Sequence, residues 1–340
     1  MPVVWPYGKQ EGPSGVFRAR DSAAAFLGGP SRSYEQKKSE GYGMTTASGQ
    51  GNIPVILVSA RTLPEAWERS ILEVWKKGVA LRTEYDHPDD PPSRDATMIL
   101  VVEEPFGEPR IHRAFPGGIE DLEKYRLEVV EGVRDHWIRP AEGKWTYTYH
   151  DRLFHYVVRE DPRKFDEQSP FQAVDQIEAL VAKLSQVPYS RRAQAITWMP
   201  TLDPQTEDPP CLQRVWCRLL PDDGGFLRLN MNTHWRSRDA YKAAFMNVYA
   251  LTELQKVLAE RISRRMGRPV AVGRYVDVSD SYHLYGSYLA EIEERFFRSL
   301  ERRSFEDRTW RSDDPRIQAA LRCGREQIER ERADAETAGE

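Results

Sequence analysis

Long apolar runs are missing from this chain of 340 residues. Nothing in it approaches the roughly 20 consecutive apolar residues that a helix needs to cross a bilayer, so no spanning helix is expected. Cysteine is scarce: Cys211, Cys217 and Cys323 are the three present. An odd number in a chain long enough to build a large core argues against a secreted disulfide framework and for a reduced, cytoplasmic setting. Cys211 and Cys217 stand six residues apart on a strand-like stretch, without the C-x-x-C spacing of a zinc site, so no metal is expected. Excess positive charge is also absent, since 49 Lys and Arg face 53 Asp and Glu for a formal charge of -4. Phosphate recognition therefore has to be local, and the missing basic footprint weighs against a nucleic-acid-binding protein. The first residues lack the apolar core of a signal peptide.

Residues 1–52 are rich in Gly, Ser, Pro and charge without helical or strand periodicity, and read as a flexible leader in which Met44 is an alternative start. A strand follows over 53–58. Thr62 then caps a helix that Pro64 opens and Gly78 closes, with Trp67, Ile71, Val74 and Trp75 as its buried stripe. Further helices are expected over 119–132 behind Gly117-Gly118, over 171–186, over 240–266 up to Gly267, and near 287–301. Strands are expected over 98–103, 195–198, 212–219, 226–231 and 270–278, with Asp222-Asp223-Gly224-Gly225 as a hairpin turn. No repeat or linker interrupts 53–310, which reads as a single α+β catalytic domain. Residues 311–340 read as a charged tail, frayed or a solvated helix.

Cys211 lies in Asp208-Pro209-Pro210-Cys211-Leu212-Gln213, where two prolines stiffen the approach to a strand. Most cysteines are simply buried small hydrophobes, and that reading stays open from the residue alone. Around it stand Ser190-Arg191-Arg192, about twenty residues upstream, and Arg236-Ser237-Arg238-Asp239, about twenty-five downstream. Guanidinium forks suit a phosphate, and nearby positive charge favours a nucleophilic thiolate. Each arginine pair taken singly is equally an exposed, solvated pair.

In series, Ser190-Arg191-Arg192, Trp198-Met199-Pro200, Pro209-Pro210-Cys211, Arg236-Ser237-Arg238-Asp239, the Asn247 segment and His283-Leu284-Tyr285 have the order and approximate spacing of thymidylate synthases. Upstream, Leu81-Arg82-Thr83 resembles the family's Arg-Thr loop and Tyr149-His150-Asp151-Arg152 its Tyr-Gly-x-x turn. The resemblance implies an α+β thymidylate synthase-like fold, a mixed β-sheet packed with helices, one sheet face forming a homodimer interface. It implies Cys211 as nucleophile, Tyr149 as a further catalytic residue, and a pyrimidine nucleoside monophosphate held at its phosphate by Arg236, Ser237 and Arg82, with Asp239 in the same motif. Arg191 and Arg192 would reach across from the second subunit. His283 and Tyr285 would bond the sugar hydroxyl, and Asn247 or a neighbour would read the base edge. A glutamate must move protons; Glu128 is the candidate, with Glu123 behind it. The one-carbon donor implied is 5,10-methylene-tetrahydrofolate.

Thiolate addition at carbon 6 of a pyrimidine makes carbon 5 nucleophilic toward that methylene group. Hydride then gives a methyl group and dihydrofolate, whereas water gives a hydroxymethyl group and tetrahydrofolate. Typical thymidylate synthases close the site with a short apolar tail, and here the sequence beyond Glu301 is polar and charged, which favours water. In the base-reading segment, Phe245-Met246-Asn247-Val248 leads directly into Tyr249-Ala250-Leu251. Ala250 then occupies a position that is usually serine, or Phe245 the position of the base-reading Asn. The divergent N-terminal half resembles archaeal-type synthases and the cytidylate hydroxymethylases of nucleoside-antibiotic pathways. The expectation is hydroxymethylation of CMP or dCMP; the alternative is a thymidylate synthase acting on dUMP.

Overall fold

Alternation of buried and exposed residues in short β-branched stretches, interleaved with amphipathic helices, builds a mixed sheet with helices on one face. The computed structural model describes residues 51–159 and 172–338. In chain order these form β1 (Val55–Ala60), α1 (Leu63–Lys77), β2 (Val79–Leu81), β3 (Ser93–Val102), β4 (Ile111–His112), α2 (Ile119–Glu131), α3 (Tyr149–Phe154), α4 (Gln176–Gln186) and β5 (Gln194–Ile196). Then follow β6 (Leu212–Pro221), β7 (Leu227–Trp235), β8 (Arg238–Asp239), α5 (Ala244–Met266), β9 (Val270–Leu284), α6 (Leu289–Glu291), α7 (Arg298–Arg302), β10 (Thr309–Trp310) and α8 (Pro315–Ala338). The main sheet runs β1-β3-β9-β7-β6-β5, with β2 on β3 and β8 on β9. β1–β3 and β7–β9 are parallel, while β3–β9, β6–β7 and β5–β6 are antiparallel. No described helix is long and apolar enough to cross a membrane.

The inward residues of β6 and β7, among them Val215, Cys217, Leu219, Leu229, Met231 and Trp235, join one core with the stripe of α1 and the buried side of α5. Trp67 is 1% exposed, and its indole N–H donates to the Ala240 carbonyl at 2.8 Å, so the largest core side chain leaves no polar group unpaired. On the other face, register carries one row across the sheet from Leu57 through Ile99, Val278, His234 and Arg214 to Ile196. Leu57 is 66% exposed and Val55, in the same strand, 70%; no described element covers this face.

Several boundaries differ from the sequence expectation. The helix expected over 171–186 begins at Gln176, because the Asp175 side chain caps it by accepting from the Glu178 N–H. Val174 instead pairs with Tyr156 in an isolated bridge, and Phe171 lies outside the described residues, as does nearly all of the expected leader. The helix expected from 240 begins at Ala244, since the Asp239 carboxylate takes the N–H groups of Tyr241 and Lys242 and holds a turn there. β9 runs on past 278 to Leu284, carrying His283 into the sheet.

Over the described residues, the charged stretch after Arg311 forms a helix that packs on α2. α8 lies along α2 so closely that a Cβ on Gly324 would sit 2.5 Å from the Glu120 carbonyl oxygen. Ile328 is buried with Leu127 and Val133. Arg325 bonds Glu123 at 2.6 Å, and Arg134 bridges Glu128 at 3.1 Å to Glu331 at 3.3 Å.

Candidate active site

Cys211 is the residue before β6, and its carbonyl accepts from the Arg236 N–H at 2.9 Å at the end of β7. The Arg236 side chain folds back over the prolines, Nε donating to the Pro210 carbonyl at 3.1 Å and Nη2 to that of Pro209 at 2.6 Å. The Pro-Pro-Cys and Arg-Ser-x-Asp motifs thus meet because β6 and β7 pair. Arg238 points into the core: it bonds Asp277 at 2.6 Å and lies 3.7 Å over the Trp235 ring. Its Nε and Nη2 are buried and find no hydrogen-bond acceptor among the described residues.

α3 brings Tyr149 to the same place. Thr148 caps this short helix by accepting from the Asp151 N–H, and the Tyr149 hydroxyl accepts from the Leu212 N–H at 3.4 Å, with its ring 5.7 Å from Trp235. His150 stands where the family motif has glycine. It stacks on Phe154 and bonds Asp135 at 2.6 Å, and it fits because Gly132, with φ of 64°, has no Cβ to strike it. Tyr147 is ring to ring with Tyr149 at 5.8 Å. From α2, the Tyr125 hydroxyl accepts from Asn247 Nδ2 at 2.7 Å.

Past the end of β9, Tyr285 contacts His283, Tyr288 and Tyr85, with centroids 4.5, 5.6 and 6.3 Å away. Gly286 permits the approach of the 82–92 loop, because a Cβ there would overlap the Pro91 carbonyl. Cys211, Tyr125, Tyr147, Tyr149, Asp239 and Tyr285 keep partial accessibility although protein surrounds them closely, the signature of side chains lining a recess. A separate cavity, lined by Leu220, Arg228, Asn230 and Arg274, opens at the other end of β6, away from the thiol.

Burial pushes the Cys211 thiol up; Arg236 and Arg238 draw it down, and Asp208 opposes them. Burial likewise raises the hydroxyls of Tyr125, Tyr147 and Tyr149 well above the ordinary tyrosine value, so they keep their protons. Asp239 is pushed up to about 6 by burial against two backbone N–H bonds. His283 is pushed down to about 4 by burial and is a neutral imidazole near pH 7.

The two glutamates separate. Burial would raise Glu123, but Arg126 and Arg325 hold it below the usual carboxylate value. Burial pushes Glu128 up to about 7 despite Arg134, with Asp135 adding to the rise. Glu128 binds its proton more tightly in the folded chain, so its stabilising contribution is full below pH 4.5, the ordinary glutamate value, and is lost as pH rises through about 7. The loss is about 3 kcal/mol. Urea unfolding at pH 5 and pH 8 is expected to show that decline in the wild type relative to Glu128→Gln; equal pH dependence in the two would refute the assignment.

The remaining expected residues lie further out. Arg82 is exposed and bonds the carbonyls of His87 and Pro88 in its own loop, which Tyr85 brings beside Arg236. Ser237 is half-buried next to Arg236. Arg191 and Arg192 are exposed just before β5, where the Arg191 carbonyl accepts from Trp216 Nε1 at 3.0 Å, away from Cys211. Tyr125 and Tyr147 escaped the sequence reading, and Arg238, read there as part of a phosphate-binding group, instead bonds Asp277 in the core; Tyr125 sits one helical turn before Glu128. Among the described residues no group of three or more His, Cys, Asp or Glu side chains is placed to hold a metal ion.

The sequence model of the family described as "Thymidylate synthase" matches residues 130–312. A "Putative thymidylate synthase" of Methanococcoides burtonii is 27% identical over 70% of this chain and 93% of its own length. The Methanosarcina acetivorans protein of the same description is 28% identical over 67% and 89%, and that of Methanocaldococcus jannaschii 25% over 68% and 91%. Thermostable thymidylate synthase A from Bacillus subtilis superposes with a TM-score of 0.51 at 17% identity, covering 72% of this chain and 86% of its own, a likeness of fold alone.

Proposed function

From the premise that this chain belongs to the thymidylate synthase family, and so is a one-carbon transferase, we propose that it hydroxymethylates carbon 5 of CMP or dCMP. Its co-substrate is 5,10-methylene-tetrahydrofolate, which supplies the one-carbon unit, and its setting is the cytoplasm. The observation that carries this reading is the hydroxyl-rich wall of the Cys211 recess. Tyr149 and Tyr285 come with the family motifs; Tyr125 and Tyr147, which lie outside them, add two more hydroxyls beside Asn247 and Tyr149, and a methyl product needs a site that excludes water from the exocyclic carbon, whereas a more polar wall favours water there.

Cys211 adds through sulfur to carbon 6 of the base. Arg236, two of whose nitrogens are spent on proline carbonyls, offers Nη1 to the phosphate beside Ser237 and Arg82. Neutral His283 and Tyr285 meet the sugar. Asn247 meets the base, and Asp239, which accepts from the Tyr241 and Lys242 N–H groups, holds the turn that follows the Arg236-Ser237 phosphate motif. Glu128, poised near neutrality and within electrostatic reach of Tyr125, serves as proton reservoir. Arg191 and Arg192 complete the phosphate site of a second copy docked on the uncovered sheet face.

The description shared by the archaeal relatives favours a second reading, methylation of dUMP. A panel of CMP, dCMP, UMP and dUMP with methylene-tetrahydrofolate separates the two. Carbon-5 tritium release with a hydroxymethyl product and no dihydrofolate is the expected result. Dihydrofolate formed in step with tritium release from dUMP would replace it with the second reading.

A further inference from the structure

A buried arginine shared by two carboxylates favours the ionised form of each less than it would favour that of one alone, so one carboxylate governs how tightly the other holds its proton. Arg134 is shared in this way. Its Nη1 donates to Glu128 at 3.1 Å and its Nη2 to Glu331 at 3.3 Å. The arginine side chain is 4% exposed, that of Glu128 9% and that of Glu331 36%, and the guanidinium lies 4.7 Å over the Trp137 ring, which keeps it in place. The two carboxylates are far apart in the chain. Glu128 is on α2, and Glu331 is on α8, which the close approach of Gly324 to Glu120, the burial of Ile328 and the Arg325–Glu123 pair fix against α2. We propose that α8 is a working part of the active site: Glu331 is a positioning residue that, by drawing on Arg134, keeps Glu128 from being locked as a carboxylate.

This rests on the reading of Glu128 as the proton reservoir and deepens it. The titratable groups around Glu128 are Tyr125 on its own helix, Arg134 and Asp135 in the turn that follows, His150 on α3 through its bond to Asp135, and Glu331 on α8. Glu123, Arg126, Glu131 and Arg325 pair among themselves along the same two helices. Arg134 draws the Glu128 proton off, while burial and Asp135 hold it. Replacing Glu331 by glutamine removes a nearby anion and leaves Arg134 more fully to Glu128. Both changes favour the ionised carboxylate, so Glu128 then loses its proton at lower pH.

The test is the titration of Glu128 in the full chain, followed through its ¹³C carboxyl resonance, which Glu128→Gln identifies by its disappearance, beside the pH profile of carbon-5 tritium release with the nucleotide of the panel that is turned over. In Glu331→Gln the resonance is expected to titrate about half a pH unit lower or more, a proton bound about threefold less tightly, and the limb of the tritium-release profile near neutrality is expected to move with it. Glu329→Gln removes the same charge from an exposed position on α8 and is expected to move neither by more than about 0.2 unit. A merely structural role for Glu331 would lower stability and leave the titration in place. An unmoved resonance in Glu331→Gln, or an equal shift in Glu329→Gln, overturns the inference and leaves the proposed reaction standing. A resonance that shifts while the tritium-release profile stays fixed overturns the reading of Glu128 itself, and with it the place of α8 in the active site.

Discussion

Replacing Cys211 by Ala is expected to abolish carbon-5 tritium release, by roughly 10⁴-fold or more, the scale of removing a covalent nucleophile, while nucleotide binding survives. No other thiol can substitute. Cys217 is wholly buried in β6 and its thiol is raised by burial without an opposing cation, and Cys323 is on α8, bonded to the Gln327 side chain. Cys211 alone combines partial access with Arg236 and Arg238 nearby. Because burial outweighs those arginines, the free enzyme's thiol starts above its ordinary value, and alkylation by iodoacetamide should accelerate as pH rises into the alkaline range. Tritium release retained in Cys211→Ala, with binding intact, would sink the assignment of the nucleophile.

The family resemblance put Cys211, Arg236 and Tyr149 in one site, and the paired β6 and β7 with the adjacent α3 bring the three side chains together. The stripe of α1 was legible too, since Trp67, Ile71, Val74 and Trp75 recur at helical spacing and all face the core. What escaped depends on contacts distant in sequence. Tyr125 meets Asn247 of α5 across 122 positions, and nothing local to either residue announces the pair. α8 read as a solvated tail because its surface is mostly charged. It docks through a few apolar residues, a glycine that lets two helix backbones approach, and carboxylates on α2 that await arginines. Arg191 and Arg192 are exposed before β5, away from Cys211 of their own chain, and the role proposed for them requires a second copy.

Removing the carboxylate of Asp203 is expected to cost the fold about 3–5 kcal/mol, the range for stripping one partner from a buried ion pair. Arg152 is 1% exposed and Asp203 fully buried. Two guanidinium nitrogens meet the two carboxylate oxygens at 2.7 and 3.2 Å, and Nη1 also donates to the Thr197 carbonyl at 2.9 Å. The same carboxylate accepts from the Met199 N–H at 2.6 Å. Asp203→Ala leaves a permanently charged guanidinium and a backbone N–H buried without their acceptor, whereas Asp203→Asn retains part of the bonding and should lose less. The consequence reaches the active site, because Arg152 is on α3 with Tyr149, and residues 197–205 lead into Pro209-Pro210-Cys211. Both variants should therefore lower kcat through a loosened Cys211 approach, with KM for the nucleotide less affected, since the groups proposed to meet its phosphate and sugar lie just after β7, in the 82–92 loop and at the end of β9. Urea unfolding with steady-state kinetics provides the check: a loss of less than about 1 kcal/mol in Asp203→Ala would show that water reaches the guanidinium, and that the pair does not hold α3 against the cysteine loop.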